Sequence, residues 1–407
     1  MSRPPPSLPD DPDRRPRVKM RPNRSPQRVR FGFPWLFADE LVLDRRSRAI
    51  APGSIVTVTA ADGAVLGSAG FNPGSRIAAR LLSRDAGRPI DGAWLRQRLE
   101  RAQALRERLY PQPFYRMVHA EADGLPGLVI DRFGAAAVIQ PNAAWADALL
   151  EPLTDALVAV TGVDTVVLNG SGRARVLEGL PAEGRILRGA APAPLPVPMN
   201  GATYLADLTG GQKTGLFYDQ RDNHAFAARL AGGASVLDLF SHVGGFSLAA
   251  LAAGAREALA VDSAAPALEL ARQGAEISGF GGRFASIRGD GFAVMADLAA
   301  QGRKFGLVIC DPPAFAPSKE ALASGLRAYE RVARLAAALV EPGGFLCLCS
   351  CSHAADPVRF QQVSLRGIGR AGRRGQLIRS GGAGADHPLH PMLAESGYLK
   401  SLFFRLG

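Results

Sequence analysis

The residues with chemistry to offer sit at the ends of short apolar runs in the second half of the chain. Four runs end in or lead to an acid: Val-Leu-Asp238-Leu-Phe240-Ser241-His242-Val-Gly244-Gly245-Phe246, Val261-Asp262, Arg288-Gly289-Asp290-Gly291, and Asp311-Pro312-Pro313-Ala314-Phe315. A fifth runs into Cys349-Ser350-Cys351-Ser352. Two glycines after a strand let backbone approach a ligand closely, and the N-terminus of the following helix offers N–H groups to a carboxylate. Asp262 is placed to hold ribose hydroxyls, and Asp290 to meet an adenine edge. Two prolines stiffen the backbone around the Asp311 carboxylate. Each feature also has a plain reading: a tight turn for the glycines, a helix cap for Asp262, buried packing for Cys310, Cys347 and Cys349. Cys351 differs, because it comes where its strand should end and serines flank it.

These residues need strands and helices to bring them together. From about Ala202 the pattern alternates. Strands are expected at Ser235–Phe240, Ala258–Asp262, Leu307–Asp311 and Gly344–Cys349, with helices at Phe246–Ala255, Pro266–Ser278 and Ser324–Leu339. Alternation of this kind predicts an α/β fold, a mainly parallel Rossmann-like sheet covered by helices, with ligands outside the carboxyl ends of its strands. Upstream, Ser54–Ala60, Asp62-Gly63 and Ala64–Phe71 read as a β-rich module. Asp91 to Tyr110 reads as an amphipathic helix capped by Asp91, with Trp94, Leu95, Leu99, Ala102 and Leu105 on one face. Ala190–Met199 is Pro-rich and reads as a linker. The expected division is a disordered arm at 1–16, a β-rich domain at 17–88, an α+β middle domain and linker at 89–200, and the alternating domain at 201–407.

Composition narrows the function classes. A chain of 407 residues with 47% hydrophobic and 21% charged content is globular and long enough to bury a core without staples. It lacks an uncharged apolar run of the roughly 20 residues a membrane helix needs, and its start has no apolar core behind the basic residues. A soluble, cytoplasmic protein is expected, with no membrane partner. Four cysteines do not make a disulfide framework. Three alternate along one strand, where thiols about 6.6 Å apart are expected, too far for zinc–sulfur bonds of about 2.3 Å, so no metal site is expected. The net charge is +11, and lysine occurs at only five positions, so arginine supplies nearly all 48 cations. Arginine forks suit phosphate and stack on bases, which points to a nucleic-acid partner; a GC-rich coding sequence would also favour arginine.

Taken together, the strand-end residues resemble those of class I S-adenosylmethionine-dependent methyltransferases. The chain further resembles the bacterial large-subunit (23S) ribosomal RNA cytosine-C5 methyltransferases that carry an N-terminal PUA domain. Gly211-Gln212-Lys213-Thr214-Gly215-Leu-Phe217-Tyr-Asp219-Gln220-Arg221-Asp-Asn223 is similar to that family's entry motif, and Glu121–Arg132 to its middle segment. Phe33-Pro34-Trp35-Leu-Phe37 and Gly67–Ile77 resemble its PUA domain, an RNA-binding module. His387-Pro388-Leu-His390-Pro391 and Tyr398-Leu399-Lys400 resemble its tail. The likeness runs through nearly the whole chain from Arg17. Departures are His242-Val243 within the glycine loop, Gly274 where an Asn is common, and a Gly/Arg-rich stretch at 361–385 where a cleaner helix and strand are usual.

The resemblance implies S-adenosyl-L-methionine as cofactor, bound by Asp238, Phe240, Ser241, Gly244, Gly245, Asp262, Asp290 and Asp311. It implies ribosomal RNA or a large-subunit precursor as partner, with a homodimer compatible. Catalysis would rest on a Cys351 thiolate adding to cytosine C6, with Asp311 on the N3/N4 edge of the ring and Pro313 and Phe315 packed against the extruded base. No second cysteine follows the proline motif, so the base that takes the C5 proton is unassigned. Lys213, Arg221 and Asn223 would line the RNA or cofactor cleft. Two other readings stand beside this one: methylation of a guanine or adenine nitrogen, which uses a similar Asp-Pro-Pro-aromatic motif and no cysteine, and an RNA-binding protein with an inactive methyltransferase fold. A nicotinamide dehydrogenase ranks last, because Gly-x-Gly-x-x-Gly is missing after the first strand.

Overall fold

The computed structural model describes residues 10–191, 194–210 and 215–407. The chain divides into two compact units, one of Met1–Pro192 with Asp386–Ser396 and one of Ala193–Ala385 with Gly397–Gly407.

The first unit holds two five-stranded sheets. One has the order β1-β3-β4-β5-β2, built from Arg17–Lys19 (β1), Trp35–Leu36 (β2), Ile55–Thr59 (β3), Val65–Phe71 (β4) and Ala79–Ser83 (β5). Apolar side chains from these strands, Val18, Leu36, Val56, Val58, Leu66 and Phe71 among them, form its own core. Of the arm expected to be disordered, residues 10–16 are ordered, and residues 1–9 lie outside the described residues. Arg15 is 7% exposed and donates to the carbonyls of Ala86 and Arg88, while Asp10 accepts from Ile90 N at 2.7 Å. A buried guanidinium needs such partners, and they fix the segment.

The other sheet has the order β10-β9-β8-β7-β6, from Phe114–His119 (β6), Leu128–Phe133 (β7), Ala136–Pro141 (β8), Thr165–Leu168 (β9) and Arg185–Arg188 (β10). The helix Gly92–Leu109 starts where expected, Asp91 accepting from Trp94 N at 2.9 Å. Its buried face ends differently. Leu105 is 41% exposed, and Arg106 is fully buried. The arginine is inside because it is paired: its guanidinium bonds the Asp123 carboxylate, the Arg116 carbonyl and the Asp386 carbonyl at 2.5–2.9 Å. Asp386 in turn accepts from Arg116 N and meets His387 Nδ1 at 2.8 Å. This buried network is why Asp386–Ser396 packs with the first unit, although 201–407 was expected as one domain.

The second unit opens with a hairpin of Leu195–Met199 (β11) and Ala202–Ala206 (β12). The expected linker is thus partly a strand. Val197 and Met199 are buried while Pro196 and Pro198 face outward, the arrangement an edge strand needs when alternate residues lack N–H groups. The main sheet has the order β15-β14-β13-β16-β17-β19-β18, from Ser235–Leu239 (β13), Glu257–Asp262 (β14), Phe284–Arg288 (β15), Phe305–Cys310 (β16), Val340–Ser350 (β17), Gly375–Gly381 (β18) and Lys400–Leu406 (β19). The first five of these run parallel, and β19 is antiparallel to both β17 and β18. The Gly/Arg-rich stretch that obscured the last strands forms the helix Pro357–Arg370 and the edge strand β18. Phe360, Val363, Gly367 and Ile368 make the helix's buried face, and Gly367 sits where a Cβ would lie 2.5 Å from the Glu330 carbonyl oxygen.

Candidate active site

The glycine loop after β13 is held in an unusual backbone. Phe240, His242 and Gly244 all take positive φ, at 63°, 49° and 78°. Non-glycine residues in this region are strained, and such strain persists only where surroundings over-determine it. Two carboxylates do so. Asp238, fully buried, accepts from Ser247 N at 2.9 Å and Ser247 Oγ at 2.7 Å, clamping the first turn of the helix Gly245–Ala252 to the strand. Asp262, at the end of β14, accepts from His242 N and from Ala264 N, each at 2.9 Å. Burial pushes the Asp238 carboxyl up to about 7, partly offset by the Ser247 bonds. Below the loop, a Cβ on Gly245 would lie 2.6 Å from the His224 ring, and the His224 ring meets Phe246 at 4.4 Å. Burial holds His224 neutral, down to about 3.

This loop suits an adenosyl ligand with an amino-acid tail. Ser241 Oγ and one Asp238 oxygen are buried with no partner among the described residues. Asp262 is partly exposed and keeps lone pairs for hydroxyls beyond its two backbone bonds. Asp238 is not solvent-accessible, so its effect on a ligand runs through the loop it clamps. Asp290 is exposed, and its Oδ1 caps the helix Gly291–Ala300 by accepting from Phe292 N and Ala293 N, both at 3.0 Å. Phe240 lies against Gly291, where a Cβ would come 2.7 Å from its ring.

Asp311 follows β16, and its N–H donates to the Leu239 carbonyl at 3.2 Å, which ties the two strand ends together. The register pairs Cys310 with Leu348, so Asp311 follows β16 level with Cys349, and Cys351 follows the neighbouring strand β17, two residues further along. Cys310, Cys347 and Cys349 are each at most 1% exposed, whereas Cys351 is half-buried. The spacing expected for the strand thiols does not hold. The sulfurs of Cys347 and Cys349 lean to 3.7 Å, and Cys349 Sγ meets Ser401 Oγ at 3.1 Å. Burial pushes the Cys347 thiol up and away from thiolate.

One hub joins the Asp311 loop to the Cys351 strand end. Tyr329, from the helix Leu322–Leu339, places its hydroxyl 2.7 Å from Ser352 Oγ and accepts from Phe315 N at 3.4 Å. Ser352 Oγ also accepts from Ala316 N at 3.0 Å. Rings continue the connection: Phe240 to Phe292 at 6.4 Å, Phe292 to Phe315 at 5.9 Å, Phe315 to Tyr329 at 5.0 Å and Tyr329 to Phe360 at 5.2 Å. Pro313 is exposed and Phe315 half-buried at this edge. Sequence reasoning overlooked Tyr329 and Ser352. The flanking of Cys351 by serines was the signal for Ser352, and Tyr329 carried none.

The entry segment behaves differently from its expectation. Asn223 is fully buried, and its amide donates to Gln220 Oε1 and to the Gly382 carbonyl, so it ties its helix to the end of β18 rather than lining a cleft. Arg221 is 8% exposed, with its guanidinium over the Tyr218 ring. Asp219 accepts from Tyr398 Oη at 2.5 Å. Lys213 lies outside the described residues. A cavity of about 390 Å³ opens at the opposite, amino-terminal edge of the sheet, lined by Val236, Phe284, Arg303 and Phe305, far along the strands from these residues.

Comparison with known proteins bears on this arrangement. Residues 185–369 match the S-adenosylmethionine-dependent methyltransferase family, and residues 18–84 match the PUA-like domain. A Klebsiella pneumoniae protein named ribosomal RNA large subunit methyltransferase I is 33% identical over 379 residues, covering 92% of this chain and 94% of its own length. The protein of the same name from Shewanella amazonensis is 34% identical over 395 residues, covering 96% and 99%. A solved Streptococcus mutans structure described as a SAM-dependent methyltransferase superposes with a TM-score of 0.80 at 18% identity, covering 96% of this chain and all of that one. A second, solved in complex with SAH, has the same TM-score at 19% identity, covering 96% and 99%. A strained glycine loop braced by two strand-end acids, set in a chain that aligns almost end to end with these relatives, places this protein among the S-adenosylmethionine-dependent methyltransferases, in the ribosomal RNA large subunit methyltransferase I family.

Proposed function

We propose that this protein methylates C5 of a cytosine in large-subunit ribosomal RNA, in the cytoplasm, with Cys351 as the covalent nucleophile. The observation that carries the reading is the contrast among four cysteines: three are sealed in the sheet, and the half-buried one directly follows β17, the neighbour of the strand β16 that Asp311-Pro-Pro follows. The relatives' name supplies the substrate class. Cytosine C5 is a weak nucleophile, and covalent addition is the chemical remedy. The Cys351 thiolate bonds to C6, and the C5–C6 π pair moves to C5. Asp311 accepts from the exocyclic amine and steadies the ring's N3 side. S-adenosylmethionine held in the glycine loop would supply an electrophilic methyl, which C5 would take as the carbon–sulfur bond breaks and S-adenosylhomocysteine leaves. A base then removes the C5 proton, the C5–C6 double bond re-forms, and the thiolate leaves. Pro313 and Phe315 offer an apolar face to a base taken out of its stack.

The deciding experiment incubates the full chain with large-subunit RNA and labelled S-adenosylmethionine, then identifies the product nucleoside by mass spectrometry. The proposal expects 5-methylcytidine, none of it from Cys351→Ala, and a trapped protein–RNA adduct on RNA carrying 5-azacytidine. A Cys351→Ala protein that still methylates would refute covalent catalysis, and a methylated guanine or adenine nitrogen would establish the alternative that the Asp311-Pro-Pro-Ala-Phe315 motif also fits. RNA bound but unmethylated, with no S-adenosylmethionine binding, would leave an RNA-binding protein.

A further inference from the structure

Lys400 opens β19 at the register position opposite Ser350, one residue before Cys351. It is 7% exposed, in a strand whose next four residues, Ser401–Phe404, are all buried. A buried ammonium is costly unless hydrogen-bonded and matched by negative charge. Its Nζ donates to the Ser352 carbonyl at 2.6 Å, which satisfies one of three N–H groups and none of the charge. Burial pulls the Lys400 ammonium below the ordinary lysine value, while Cys351 and Asp356 hold it up, so both lie within electrostatic reach. Asp356 is committed elsewhere: it is exposed, caps the helix Pro357–Arg370 through Arg359 N at 2.9 Å, and pairs with the Arg359 guanidinium at 3.3 Å. Of these two groups the Cys351 thiol acts on the lysine more strongly, and its ionisation would balance the buried charge.

We infer that Lys400 is a positioning residue for the nucleophile, its buried ammonium serving as counter-ion to the Cys351 thiolate while its bond to the Ser352 carbonyl holds the strand end in place. The inference rests on the proposed cysteine chemistry and names what prepares it. A thiol at an ordinary value near 8.5 is mostly protonated at neutral pH, and an adjacent cation corrects this. The other ionisable groups around the sulfur are Tyr329 from the helix beneath, held protonated by burial, His353 two residues on, Asp356, and Asp311 on the neighbouring strand.

The rate of iodoacetamide alkylation against pH reads the thiolate directly, and in the native full chain it reads Cys351, because the other three cysteines are buried. The wild-type rate is expected to reach half its maximum well below about 8.5. Lys400→Gln keeps a donor for the Ser352 carbonyl and removes the charge. It is expected to move that midpoint up by about one pH unit or more, lowering alkylation at pH 7 roughly tenfold, while Lys400→Arg stays near wild type. S-adenosylmethionine binding by calorimetry checks that each variant is folded. A Lys400→Gln midpoint equal to wild type, or a wild-type midpoint at or above about 8.5, overturns the inference; the second reading needs no variant to fold. These outcomes are separate from those of the methylation assay: Cys351→Ala that still methylates would end the carbon-methylation proposal and leave the alkylation profile as it is.

Discussion

Tyr329→Phe isolates the hub that joins the two halves of the candidate site. The substitution removes one oxygen and keeps the ring, so the contacts to Phe315 at 5.0 Å and Phe360 at 5.2 Å remain. The 2.7 Å bond to the fully buried Ser352 hydroxyl is lost, and with it the long 3.4 Å bond from Phe315 N. Ser352 Oγ still accepts from Ala316 N, so one of its contacts survives. A net bond is worth about 1 kcal/mol, and a partly stranded hydroxyl adds up to about as much again, giving roughly 1–2 kcal/mol. In a unit of this size that lowers the melting temperature by about 2–8 °C. The larger effect is expected on turnover. Ser352 directly follows Cys351, the proposed nucleophile, and Phe315 ends the Asp311 motif, so a shift approaching 1 Å between them would cost on the order of 100-fold in kcat. The assay pairs thermal unfolding with single-turnover methylation at saturating RNA, and calorimetry for S-adenosylmethionine, whose affinity should not change because the glycine loop is untouched. A variant that melts lower but turns over like wild type would show that the hub is structural only, and the reasoning that it aligns Cys351 with Asp311 would fail.

Three further outcomes follow from the geometry. Asp238 has a folded-state value raised to about 7 from 3.8, so its protonated form is favoured by folding: the stability it contributes is full below about pH 4 and lost as pH rises through 7. Asp238→Asn should flatten melting temperature against pH across that window, removing a fall of up to roughly 4 kcal/mol; a wild-type curve rising from pH 4 to 7 in step with the variant's would contradict the burial argument. Gly245→Ala pushes a methyl to 2.6 Å from the buried His224 ring, and overpacking of about 1–3 kcal/mol should show as a lower melting temperature and weaker S-adenosylmethionine binding by calorimetry; unchanged affinity would mean the loop tolerates the shift. For a chain with a net charge of +11, the RNA binding constant should fall steeply with salt in filter-binding assays, and a flat response would exclude a phosphate-dominated contact.

The alternating half of the chain was legible because its strands are short apolar runs that end in acids, and parallel strands buried on both faces read that way. The residues of the glycine loop were legible for the same reason. Their roles were less so. Asp238 and Asp262 look alike in sequence, yet one is sealed under Ser247 and the other braces His242 N while staying open to a ligand. The helix cap weighed as the plain reading of Asp262 belongs to Asp290, whereas Asp262 accepts from His242 N and Ala264 N. Local pattern cannot see this, because it depends on which helix each loop meets. Arg106 was missed and Leu105 wrongly turned inward because helical spacing ranks residues by apolarity, and a buried arginine is admitted only by partners far away in sequence, here Asp123 and Asp386.

The same limit explains the surroundings of Cys351, the proposed nucleophile. Lys400, the proposed counter-ion, lies some fifty residues beyond Cys351 and is brought alongside by the antiparallel pairing of β19 with β17. That pairing also sets Ser401 against Cys349, whose thiol it meets, and Lys400 against Ser350, from where its ammonium reaches the Ser352 carbonyl. A slip of one residue along β19 would exchange the faces of Lys400 and Ser401, and the contacts to the Ser352 carbonyl and the Cys349 thiol would both be lost. The site is therefore not a set of residues contributed independently by five strand ends. It is a consequence of sheet register, and variants that disturb β19 far from the cysteine should alter thiol reactivity before they alter cofactor binding.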